Sequence, residues 1–161
     1  MREPVRRTAL LIAACALLAL PAVAFGQNPH FVRGPDYTAT TSELTATGKA
    51  AGLGTEVTSA FLSADRVDVY FRCVNRGNNF APGHPASSTS VAGPTQNIAP
   101  RNGAITFNVS LPASAPSARD VCPSRQWRVV VDRVDYIGVV LHLRQNGTDV
   151  LTDGPNTFSA P

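Results

Sequence analysis

Charge is scarce in this 161-residue chain: Asp, Glu, Lys and Arg make up 16% of it, against roughly 25% in an ordinary soluble domain. That scarcity excludes a coiled coil, a helical bundle laced with ion pairs and a charged disordered tail. Helical periodicity is missing as well, with no helical stretch of ten residues outside the first 26. Long apolar runs are also missing. The longest, Ala9–Leu20, has 12 residues, short of the roughly 20 that a membrane-spanning helix needs. No later segment comes close, so no transmembrane segment is expected in the mature chain. G-x-S-x-G, H-E-x-x-H, a P-loop and C-x-x-C are all absent. No motif therefore assigns catalysis, a metal or a cofactor, and the expectation is a non-enzymatic protein that needs neither.

What is present begins with a leader. The basic stretch Met1–Arg7 precedes the apolar run, Pro21 breaks it, and Ala22-Val-Ala24 offers an A-x-A cleavage pattern, with Gly26 as a second option. This three-part form is that of a secretory signal peptide over residues 1–26. Two variants stay open: Ile12-Ala-Ala-Cys15 resembles a lipoprotein box, and Arg6-Arg7 could serve a twin-arginine signal. The net charge of +3 belongs to this leader. Removing Arg2, Arg6, Arg7 and Glu3 leaves +1. No Lys/Arg cluster remains as a nucleic-acid footprint, so the expected location is extracellular and no nucleic-acid partner is expected.

Cleavage would leave two of the three cysteines, Cys73 and Cys122. An even count in an exported chain implies a disulfide, and two cysteines allow one connectivity. Closing that span contributes roughly 4 kcal/mol through loop-closure entropy. That is a sizeable share of the roughly 5–15 kcal/mol that holds a domain together.

The rest of the chain is rich in turn formers and small polar residues, with 12 Gly and 13 Pro. Residues 27–36 carry Asn28-Pro29 and Gly34-Pro35 and read as an extended arm. Period-two alternation follows. In Arg66–Val74, Val67, Val69, Phe71 and Cys73 share one face, while Asp68, Tyr70 and Arg72 share the other. Ile105, Phe107 and Val109 alternate, as do Val139, Leu141 and Leu143. Trp127, Val129 and Val131 also alternate, which gives Trp127 core parity. Asn146-Gly147 marks a tight hairpin. Residues 75–88 and 111–125 are long loops, and the second carries Cys122. Seven to nine short strands with turn signals between them predict an all-β antiparallel sandwich over residues 37–153, with 154–161 as a tail. It is immunoglobulin-like in architecture only, because the order Cys, Trp, Cys is absent.

Asn28-Pro-His-Phe31, Leu44-Thr-Ala-Thr-Gly-Lys-Ala-Ala-Gly-Leu-Gly54, Cys73-Val-Asn75, Asn102-Gly103 with Thr106-Phe-Asn-Val109, and Cys122-Pro123 with Trp127 resemble a group of small exported bacterial proteins. These occur in actinobacteria and similar soil lineages and have no assigned function. The resemblance spans most of the mature chain and rests on turn and core residues, so it implies no catalytic residue. It implies a second cysteine pair where this chain has Tyr37 and Ala46, which leaves one bridge here.

Candidate functional residues are few. His84 lies in the first long loop near Ser87 and Ser88, a local base and nucleophile. Function concentrates on such loops, so a small hydrolase or inhibitor acting through loops 75–88 and 111–125 is one alternative. A lipid-anchored envelope protein is another. Asp132, Asp135, Asp149 and Asp153 could serve glycoside hydrolysis or hold Ca²⁺; the plain expectation for Asp132 and Asp135 is solvated pairing with Arg128 or Arg133. Tyr70 faces away from the core, Phe80 sits in a polar loop, and exposed aromatics that cluster mark binding sites. The leading expectation is a secreted binding or structural module whose partner is an extracellular protein or glycan, with Tyr70, Phe80 and His84 as candidate binding residues.

Overall fold

The computed structural model describes residues 28–161. The expected signal peptide and Cys15 lie outside the described residues. The described residues form nine strands and one helical turn: β1 His30–Ala39, β2 Glu43–Ala51, β3 Thr58–Val74, β4 Phe80–Pro82, β5 Ala86–Ala92, β6 Gln96–Ile98, β7 Ile105–Pro112, α1 Ala118–Val121, β8 Arg128–Gln145 and β9 Thr148–Ala160. They make two antiparallel sheets, as the alternation predicted. One is β1-β2-β7. The other runs through β3, β8 and β9, with β4, β5 and β6 sharing the free side of β3. The fold is an all-β sandwich.

Alternation explains the two layers. Leu44 and Ala46 of β2 and Ile105, Phe107, Val109 and Leu111 of β7 point inward from the smaller sheet. They meet Leu62, Val67, Val69, Val134, Tyr136, Leu141 and Leu143 of the larger sheet in one cluster. Burying a side chain of this kind contributes roughly 1.5–3 kcal/mol.

Two segments differ from the sequence reading. The expected arm is not free: β1 pairs with β2 from His30↔Ala51 to Ala39↔Leu44, with irregular register around Gly34-Pro35. The expected tail is the second half of β9, paired with β8 up to Val134↔Ala160. Gly and Pro weaken a strand signal without forbidding an edge strand that bulges. Here Gly34 has φ of 73° and Gly154 of 123°.

The central strands are also longer than predicted. The strand expected over Arg66–Val74 extends back through Asp65 to Thr58 as one 17-residue strand, β3. Its buried residues are even-numbered from Thr58 to Ala64, and its buried apolar residues are odd-numbered from Val67 to Cys73. Partner strand β8 changes parity at the same level, between Tyr136 and Val139. Gly138 sits at that point with φ of 67°, and a Cβ there would collide with the Asp65 carboxylate. Both strands thus re-aim their apolar residues at the core without breaking the ladder.

Polar groups tie the layers at three places. The Tyr136 hydroxyl donates to the Thr40 carbonyl at 3.0 Å. The Tyr37 hydroxyl donates to Asp153 at 2.8 Å. The buried Gln145 amide nitrogen reaches the carbonyls of Leu53 and Glu56 and the Thr58 hydroxyl at 2.8, 3.0 and 3.0 Å. Burial raises the Tyr136 phenol to about 12. Burial first, then the Asp153 carboxylate, raises Tyr37 as well.

The disulfide joins Cys73 to Cys122, 49 residues apart, with Cα atoms 5.7 Å apart. It pins the segment between β7 and β8, which holds α1, to the end of β3. The bridge does not run between the two sheets, unlike an immunoglobulin core. Trp127 is not part of the core despite its parity. It precedes β8 and is half-exposed, because the strand ladder begins one residue later at Val74↔Arg128.

Candidate functional site

The solvent side of the larger sheet carries most of the candidate side chains that the fold gathers. At the end that holds the disulfide, Tyr70 is half-buried and the Arg133 guanidinium lies 4.0 Å from its ring centre. Arg133 also pairs with Asp135 at 3.3 Å. Phe80, read from sequence as a loop residue, opens the short edge strand β4 opposite Val74. It is 64% exposed, and the Arg72 guanidinium lies 5.3 Å from its ring centre. Arg72 in turn pairs with Asp132 at 2.6 Å. Tyr70 and Phe80 therefore belong to neighbouring aromatic–guanidinium pairs. Such stacking contributes roughly 0.5–1 kcal/mol at exposed sites and holds the rings and guanidinium planes in place. Asp68 on the same side accepts from Arg66 at 2.9 Å, while its other oxygen has no partner among the described residues.

Asp135 does pair with Arg133, but along one strand rather than across strands, and its side chain is only 17% exposed rather than solvated. Asp132 takes Arg72 instead. Asp153 accepts from Tyr37 and from Asn156 at 3.0 Å. Among the described residues no three metal-ligating side chains gather. His84, Ser87 and Ser88 are all exposed, and no hydrogen bond joins His84 to either serine among the described residues. The loop pairing suggested by sequence is thus not assembled. The other two tyrosines are committed to packing: Tyr136 is buried, and Tyr37 packs on Phe158 with ring centres 4.6 Å apart.

At the other end of the same sheet stands an array that sequence reasoning missed. The Ser63 hydroxyl lies 2.9 Å from His142 Nε2, and His142 Nδ1 lies 3.0 Å from Asp149 Oδ2. Arg144 donates to both Asp149 oxygens, at 3.0 and 3.3 Å. The Arg144 hydrogen bonds, with a smaller contribution from His142, hold the Asp149 carboxyl below its usual range. The Phe61 ring stacks on the imidazole at 4.7 Å and 12°. The register places these groups. His142 faces Phe61 across β3–β8, so Ser63 is its diagonal neighbour. Arg144 faces Asp149 across β8–β9, so Asp149 stands diagonally on the other side of His142. Asp149 and His142 could have been joined from sequence, because Asn146-Gly147 fixes that hairpin. Ser63 could not, since its partner strand lies some eighty residues away in the chain.

A third feature lies on the smaller sheet. A cleft of about 330 Å³ is lined by Arg33, Asp36, Lys49 and Phe107 among others. A second of similar size shares Lys49 and reaches Arg101.

No protein-family model, curated protein or solved structure matches this chain.

Proposed function

We propose that this protein is an exported binding module that recognises an extended glycan on the solvent side of its larger sheet, at Phe80 and Tyr70. One observation carries the reading: Phe80 is a large apolar ring, 64% exposed, held beside a guanidinium rather than folded into the core. Sugar rings present C–H faces that stack on aromatic rings and hydroxyls that pair with guanidinium and carboxylate groups. Arg72, Asp132, Arg133 and Asp135 supply those groups around the two rings. The amino-terminal leader pattern supports export. So does the disulfide, because such bonds persist in oxidising compartments. The resemblance to small exported bacterial proteins agrees with the same location.

The test is a glycan array and co-sedimentation with insoluble cell-wall polysaccharide, using the disulfide-bonded protein. Phe80→Ala and Tyr70→Ala each should weaken binding at least about tenfold, equivalent to about 1.4 kcal/mol, while the melting temperature of Phe80→Ala stays unchanged. Equal binding by both variants and the wild type would refute the assignment of the site.

A further inference from the structure

We propose that Ser63 is an activated nucleophile that takes an acyl group from a small activated ester and passes it to water. This goes beyond glycan binding and rests on different residues. The array fulfils the geometric roles that such chemistry needs: a nucleophile hydrogen-bonded to a base, and a base oriented by a third group. The ionised Asp149 accepts the Nδ1–H of His142. That fixes the tautomer and leaves the Nε2 lone pair for the Ser63 hydroxyl, which donates across 2.9 Å. The two hydrogen bonds from Arg144 keep Asp149 charged and fixed. Phe61 stacked on the imidazole holds the ring plane. His142 is only 17% exposed, so the base is largely shielded from water while Ser63 retains access at the sheet surface.

The reaction balances as follows. Ser63 Oγ forms a bond to the ester carbonyl carbon as His142 Nε2 takes the hydroxyl proton. The carbonyl carbon–oxygen bond to the leaving group breaks, and the departing alcohol or phenol takes that proton. Water, giving a proton to His142 Nε2, then attacks the acyl carbon; the bond to Ser63 Oγ breaks, His142 returns the proton to Oγ, and a carboxylic acid leaves. His142 and Ser63 are the catalytic residues, and Asp149 is a positioning residue.

The open surface decides the substrate class. The strand around Ser63 pairs with β5 on one side and β8 on the other, which commits the neighbouring backbone amides to the ladder. No pair of them is presented to a developing oxyanion, and a single such donor is worth about 10²–10³ in rate. The acyl donor must therefore carry its own activation, as an aryl ester of a short acid does, and turnover should be slow.

The test uses the full exported chain with 4-nitrophenyl acetate, following phenolate release and locating acetyl groups by peptide mass spectrometry. Wild type should carry acetyl on Ser63 at early times. Ser63→Ala should lower the protein-dependent rate at least about tenfold, in keeping with the roughly 10²–10⁴ contributed by a positioned base. His142→Gln should lower the rate as far as Ser63→Ala does, and Asp149→Glu should restore part of what Asp149→Asn loses. Ser63→Ala removes one hydroxyl, so matched circular dichroism and melting would keep the result interpretable even if the other variants unfold. Equal rates in wild type and Ser63→Ala, or acetyl found on Lys49 and never on Ser63, would overturn the proposal. Phenolate release and acetyl location are read with no glycan present, so their outcome is independent of glycan binding.

Discussion

Removing the disulfide should cost this protein about 4 kcal/mol. Cys73 and Cys122 are 49 residues apart, so loop-closure entropy amounts to roughly 14 cal/mol/K, or about 4 kcal/mol at 25 °C. The native structure gives little reason for that loss to be recovered. In the segment between β7 and β8, only Ala113 packs against the core cluster. Its backbone bonds are local, as in Asp120 to Ser117, Cys122 to Ala118 and Trp127 to Ser124, apart from Ala113 to Ser42. With the bridge gone the segment detaches, while the sandwich beneath it stays paired. The perturbation is Cys122→Ala together with Cys73→Ala, with Cys122→Ala alone as a partner that leaves the Cys73 side chain in place. Urea unfolding near pH 7 should show the loss. The melting temperature should fall by roughly 10–20 °C, given about 3–5 °C per kcal/mol for a domain of this size. Trypsin should then cut first at Arg119 and Arg125, within the released segment. A loss under about 1 kcal/mol, with those sites still protected, would mean that other contacts hold the segment and that the entropy argument fails here.

Two further outcomes follow from buried polar groups. Gln145→Leu strips the donors from the Leu53 and Glu56 carbonyls in the interior and should destabilise by about 2–3 kcal/mol; urea midpoints check it, and a change under about 0.5 kcal/mol would show that water reaches those groups. The Tyr136 phenol is raised from 10.0 to about 12 in the folded protein. A raised value favours the neutral form, so its stabilisation is complete below about pH 10 and is lost as pH climbs toward about 12. Urea midpoints from pH 9 to 11.5 should fall more steeply for wild type than for Tyr136→Phe, and parallel profiles would contradict the assignment.

Local pattern carried much of the architecture. Val67, Val69, Phe71 and Cys73 are buried as their alternation requires, and so are Ile105, Phe107 and Val109 and the set Val139, Leu141 and Leu143. The Asn146-Gly147 hairpin forms with both residues at positive φ, 49° and 80°, because Asn and Gly tolerate the turn that a twisted two-strand ribbon needs. The errors have a common cause. Gly34-Pro35 and Gly154-Pro155 punctuate the chain locally, yet each strand continues through them because a neighbour supplies the remaining ladder bonds. Trp127 has the right parity, but no strand exists at its position to give parity a meaning.

The same division holds for the candidate sites. The outward-facing positions of Phe80 and Tyr70 were legible because exposed parity and a polar stretch are local properties. The row from Ser63 through His142 to Asp149 was not, because each member is an ordinary polar strand residue until β3, β8 and β9 are set side by side.

The amino-acid order alone determined the class of fold, the inward face of most strands, the tight turn at Asn146-Gly147 and the single pairing open to Cys73 and Cys122. These depend on neighbours two to four residues apart, or on a count. The tertiary structure decided the register between strands distant in the chain, and with it the switch of faces at Asp65 and Gly138 and the alignment of Ser63 with His142. Register is fixed by the simultaneous burial of two whole sheets, an energy that belongs to no single segment and leaves no mark in any one of them.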